Sequence, residues 1–128
     1  MTNEDYLIRM SLMQQEGEKL AEQLQFINQQ IAEFEVLKLS LENLKKSKGK
    51  EILADLGKGI FIKSKIEEEK LFVNVGEGVV VKKTKEETIK IIDKQINQLE
   101  NLKRDLMKEI EKINSELEEI AIKLRSSN

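Results

Sequence analysis

Few residues in this chain could do chemistry. It has no His and no Cys, so the commonest general base and the thiolate nucleophile or metal ligand are both missing. Asp and Glu total 24, but they interleave with 22 Lys and Arg on helix-period stretches and in turns, where they are solvated. Glu67-Glu68-Glu69 could attract a cation, yet a hard cation needs several converging oxygens, and a solvated turn is the expected reading. Two Gly-x-Gly units, Gly57-Lys58-Gly59 and Gly76-Glu77-Gly78, could cradle a phosphate. A dinucleotide fingerprint requires a third Gly and a helix directly after it. Here a strand-like run follows each unit, so Gly57, Gly59, Gly76 and Gly78 are expected to close hairpins, which demand positive φ. No enzyme activity, cofactor or metal is expected.

The two glycine units belong to longer passages that repeat at an offset of 19 residues. Leu53-Ala54-Asp55-Leu56-Gly57-Lys58-Gly59-Ile60-Phe61-Ile62-Lys63 aligns with Phe72-Val73-Asn74-Val75-Gly76-Glu77-Gly78-Val79-Val80-Val81-Lys82. Each passage reads as two short strands joined by a tight turn. Strands are expected at 51–56, 60–66, 70–75 and 79–83. Four short strands carrying Leu56, Ile60, Ile62, Val73, Val75, Val79 and Val81 cannot bury these side chains among themselves. Isolated hairpins are marginal, and their open edges invite other chains. These seven residues are therefore the candidate assembly surface.

Helix-period patterns flank the block on both sides. In the first flank Tyr6, Met13, Leu20, Ile27, Phe34 and Leu41 take heptad position d, while Met10, Leu24 and Ile31 take a. Gly17, Lys38 and Lys45 interrupt the a positions, and Gly17 costs the helix about 1 kcal/mol relative to Ala. Lys48-Gly49-Lys50 is expected to end this helix, with Gly49 left-handed and lysines at the negative end of the dipole. In the second flank Thr84-Lys85-Glu86-Glu87 is a capping box. The seam then runs Ile89, Ile92, Ile96, Leu99, Leu106, Ile110, Ile113, Leu117, Ile120, Leu124, with Lys103 at its one polar position. Sustained steps of three and four indicate a coiled coil. Because the connector is short and folded, the helices should return antiparallel on each other, each about 65 Å long.

The expected fold is α+β, a long antiparallel two-helix coiled coil with two central β-hairpins. It forms a single domain: 1–48 helix, 49–83 hairpins, 84–128 helix. Met10 and Met13 should then lie opposite residues 117–122, at a tip away from the strands. Ile8, Leu12 and Ile122 fall off the seam there. Together with Tyr6, Met10, Met13, Leu117, Ile120 and Leu124 they make a candidate apolar surface, and Met is suited to adaptable contacts.

Composition narrows the partners. A net charge of -2 without a basic stripe gives no pull toward nucleic acid. No apolar run reaches the length of a membrane span. Residues 1–5 are acidic and lack the regions of a secretory signal, so a cytoplasmic protein is expected. Only five aromatics are present, Tyr6, Phe26, Phe34, Phe61 and Phe72, too few for a thick core.

With its residues in view, the chain resembles a prefoldin subunit of the alpha class. The resemblance rests on Gly49-Lys50-Glu51-Ile52-Leu53 leading into Leu56-Gly57-Lys58-Gly59-Ile60-Phe61-Ile62-Lys63, and on the second copy from Val73 to Val81. It covers essentially the whole chain, and two hairpins mark the alpha class where the beta class has one. The resemblance implies a chaperone that uses no nucleotide. Two such subunits join four prefoldin beta subunits through a hairpin platform. The helix tips hold unfolded proteins and pass them to a group II chaperonin. Two rival expectations stand beside it: a prefoldin relative that assembles with itself, even into filaments, and a coiled-coil scaffold that binds one folded partner.

Overall fold

Thr2 starts the first helix. Its hydroxyl accepts from the Asp5 amide at 3.2 Å, and the Asp5 carboxylate accepts in return from the Thr2 amide at 3.0 Å. These bonds occupy donors that a helix N-terminus otherwise leaves unpaired. In a computed structural model describing residues 2–44 and 47–126, the order is α1 (Asn3–Glu42), β1 (Glu51–Gly57), β2 (Ile60–Lys65), β3 (Leu71–Gly76), β4 (Val79–Lys83) and α2 (Lys85–Ser126). Two compact units result. One joins the chain up to Glu33 with the chain from Ile96 onward, and the other is Phe34–Gln95.

In the first unit the heptad reading holds position by position. Met13, Leu20, Ile27, Ile113 and Ile120 are buried, and Tyr6, Met10, Gly17, Leu24, Leu106, Ile110, Leu117 and Leu124 are half-buried. The direction is antiparallel: Gly17 faces Ile113, and Tyr6 meets Lys123. This core is one seam thick.

In the second unit Leu41 and Ile92 are buried. The polar a residue Lys38 reaches across to Asp93, Nζ to Oδ1 2.7 Å. That bond is the largest reason the Lys38 pKa lies above its ordinary value. The charge thus has a partner where an apolar side chain would otherwise sit. The expected capping box starts α2. The Thr84 amide donates to Glu87 Oε1 at 3.0 Å and the Glu87 amide donates to Thr84 Oγ1 at 3.1 Å. The Thr84 amide first, and then its hydroxyl, hold the Glu87 carboxyl below its usual range.

One expected boundary moves. α1 ends at Glu42, without a basic residue in its last turn, rather than at Lys48-Gly49-Lys50. Gly49 is left-handed as expected, with φ 85°, but it serves the first hairpin. Its amide donates to the Ile66 carbonyl at 2.8 Å, and the Ile66 amide donates to Lys50 at 3.0 Å. The ladder of the hairpin thus extends into the segment that propensity assigned to the helix end. Lys45, one of the expected polar seam positions, lies outside the described residues.

Each hairpin is its own two-stranded sheet. The registers repeat with the sequence: Asp55 pairs Phe61 and Gly57 pairs Ile60, as Asn74 pairs Val80 and Gly76 pairs Val79. In both, one residue is bulged out of the ladder just before the turn.

Candidate functional site

The turns are built by side-chain and backbone chemistry together. Asp55 Oδ1 accepts from the Gly57 amide at 2.7 Å, and Asn74 Oδ1 accepts from the Gly76 amide at 2.9 Å. Lys58-Gly59 and Glu77-Gly78 then turn with φ of 52°, 78°, 51° and 76°. Positive φ at both central residues matches the right-handed twist of the strands. The bulged residues Leu56 and Val75 stand out of the ladder, exposed, at equivalent places.

Side chains alternate across each sheet. Ile60 and Ile62 share one face of the first hairpin, and Val73, Val79 and Val81 share one face of the second. Of the seven expected assembly residues, Leu56, Ile60, Ile62, Val75 and Val79 are exposed, and Val73 and Val81 are half-buried. The opposite faces are apolar too, and sequence reasoning missed them. Leu53 and Phe61 lie on one, Phe72 and Val80 on the other, with Phe61 54% and Phe72 66% exposed. Their signal was present. Ile60-Phe61-Ile62, Leu71-Phe72-Val73 and Val79-Val80-Val81 are apolar at both parities, the pattern of strands covered on both faces.

Ion pairs flank these apolar faces. Lys63 meets Glu51 at 3.2 Å, and Lys82 meets Glu68 at 2.8 Å while standing 5.4 Å from the centroid of the Phe72 ring. The bond from Lys82 is the main reason the Glu68 carboxyl lies below its usual range. Glu68, the middle of the acidic run, is thus engaged by a lysine. Among the described residues no acidic, His or Cys cluster could hold a metal. A hollow of about 780 Å³ at the hairpin bases is lined by Leu44, Ile52, Ile66 and Leu71 with Glu69 and Lys70. No described helix is long and apolar enough to cross a membrane.

The second candidate surface divides. Ile8 (61% exposed), Leu12 and Ile122 stand in solvent, and Leu7, which sequence reasoning left out, stands with them. The other six expected tip residues are in the seam: Met13 and Ile120 buried, Tyr6, Met10, Leu117 and Leu124 half-buried. Leu7 follows Tyr6 at position e, a site with no seam signal, so helical periodicity alone passes over it.

Exposed apolar strands between heptad helices define a coiled-coil subunit built to be covered by other chains. Residues 13–127 match the family described as Prefoldin subunit, and the chain belongs to the prefoldin family. It is similar to prefoldin subunit alpha of Methanosphaera stadtmanae, 30% identical over 70% of this chain and 64% of that protein. It is also similar to the alpha subunits of Thermofilum pendens, at 28% over 90% and 91%, and Methanococcus maripaludis, at 33% over 87% and 76%. Among solved structures, filamentous PFD from Methanocaldococcus jannaschii shares the fold, with TM-score 0.54 and 21% identity over 94% of this chain and 95% of that one.

Proposed function

We propose that this chain is an alpha-type subunit of a cytoplasmic, ATP-independent chaperone. It joins beta-type prefoldin subunits, two alpha with four beta, through its hairpins. It holds unfolded proteins on the apolar surface of α1 and α2 around Ile8, Leu12 and Ile122, and a group II chaperonin receives them. The observation that carries the assembly half is the exposure of both faces of each hairpin, Ile60 and Ile62 opposite Leu53 and Phe61 in the first, Val79 opposite Phe72 and Val80 in the second. An uncovered apolar surface of this kind is a contact waiting for a partner. Family membership supports the chaperone half, as do the exposed side chains Leu7, Ile8, Leu12 and Ile122.

Aggregation of an unrelated unfolded protein, followed by light scattering without nucleotide, tests the holding role. The assembled complex should suppress it. Ile8→Ser, Leu12→Ser and Ile122→Ser together should weaken suppression while barely moving Tm, because all three are exposed. Full suppression by the triple variant would remove these residues from the client surface.

A second reading is favoured by the hairpins themselves. Their registers are equivalent, so one hairpin of a copy could take the place that the other hairpin occupies on a neighbour. Such head-to-tail contacts need not close into a ring. The similar fold in Methanocaldococcus jannaschii is that of a filamentous protein. Under this reading the purified chain alone would grow a concentration-dependent ladder of homo-oligomers.

A further inference from the structure

The two hairpin turns carry opposite charges at equivalent places. Lys58 and Glu77 stand in step with the 19-residue repeat, and both are exposed with nearly the same φ, 52° and 51°. The strand lysines are also equivalent, but each is held within its own chain, Lys63 by Glu51 and Lys82 by Glu68. Among the described residues neither Lys58 nor Glu77 takes part in an ion pair. Both hairpins are two-stranded, so β1 and β4 each have a side without a strand. β1 runs into its turn and β4 runs out of one. When β4 of a second copy adds antiparallel to β1, the two turns stand at the same end, two strand spacings or about 10 Å apart. Lys and Glu side chains together reach across that distance.

The edges complement each other as well. With the turns level, the equivalent registers set Leu53 opposite Lys82 of the second copy and Asp55 opposite its Val80. That Lys82 then has Glu51 and Asp55 diagonally on either side, near enough to interact. The faces also match: Ile60 and Ile62 continue into Val79 and Val81, and Leu53 and Phe61 into Phe72 and Val80. A slip of one residue would exchange the faces. Other edges fit worse. β2 against β3 in the same register sets Lys65 level with Lys70, and the first hairpin against another first hairpin sets Lys58 beside Lys58. Like charges placed so are destabilising. We infer that β1 in the first hairpin of one copy docks on β4 in the second hairpin of another copy, and that Lys58 and Glu77 select this unlike pairing over like with like. The inference rests on the assembly half of the function proposed above and names the edge and the charges that direct it.

The chain has no Cys, so introduced cysteines report the contact with no competing thiol on this chain. Full-length copies with Lys58→Cys and copies with Glu77→Cys are assembled together in the native complex and treated with a bismaleimide spanning about 10 Å. A product joining position 58 to position 77 is expected, and each variant assembled without the other should give none. Charge reversal reads the selection. Lys58→Glu and Glu77→Lys each place in one turn a residue that the other turn already carries at that φ, so the turn is preserved. Either reversal alone should lower the affinity between copies by about two- to five-fold at low salt, read from the dilution at which the complex dissociates. The two together should restore it. If like hairpins paired, neither single reversal would change the affinity. An intact complex without the cross-linked product would overturn the inference. So would single reversals without effect, or a double reversal no better than either alone. A chain that stays monomeric would fail the assembly reading itself, and this inference with it.

Discussion

Thr84 and Glu87 show how much one pair of side chains settles. Each fills the other's backbone amide, at 3.1 and 3.0 Å, and together they fix where the second hairpin gives way to α2. Replacing Thr84 by Ala should cost about 1 kcal/mol, read from chemical denaturation. The same bonds make stability depend on pH. Asp5, Glu68 and Glu87 all have carboxyl pKa values below the ordinary ones, held there by Thr2, Lys82 and Thr84 respectively. Their contribution is fully present above the unfolded carboxyl range of about 4, and it is lost as pH falls through the lower folded values. Lys38 has the opposite sign. Asp93 raises its pKa, so its contribution is present below the ordinary Lys value of about 10.4 and lost as pH rises through the folded value. Melting curves should therefore show a neutral plateau that declines at both ends. Asp93→Asn should flatten the alkaline decline and leave the acid one. Gly17 could be read in the sequence as a helix defect. The room beside Ile113 that makes alanine acceptable could not, because it depends on the register between two helices.

At the scale of elements, α1 and α2 were legible because a period of three and four leaves one stripe to bury. Every position from Tyr6 to Leu41 assigned to the seam is buried or half-buried. Ile113→Ala, in the middle of one apolar cluster, should cost about 2–4 kcal/mol, measured by urea unfolding. The hairpins were legible because Gly-x-Gly between β-branched runs has one economical solution. Gly57 and Gly76 have open space around a would-be Cβ and φ of 105° and 125°. Gly57→Ala should therefore destabilise through backbone strain, not crowding, by about 1–2 kcal/mol. Two features were not legible. The C-terminal end of α1 was displaced because Gly49 and Lys50 pair with Ile66, a contact between segments that local propensity does not contain. The apolar character of the opposite hairpin faces was passed over because the candidate assembly surface took one parity of β2 and β4, Ile60 and Ile62 with Val79 and Val81, and left out Phe61 and Val80. One-sided alternation is the rule for half-buried strands, and these strands are apolar on both sides.

For the whole molecule, the consequence is that the chain by itself is unfinished. Leu53, Phe61, Phe72 and Val80 are exposed on one set of hairpin faces, and Leu56, Ile60, Ile62, Val75 and Val79 are exposed as well, with nothing among the described residues to cover them. Val79→Asp with Val81→Asp should break the assembly while the helix content by circular dichroism holds, because neither residue is in the helices. The most direct measurement is the native mass of the complex captured through this chain from its own cells. Two copies of the chain with four smaller helical subunits is the result the account predicts. A lone monomer, stable and bound to nothing, would contradict it.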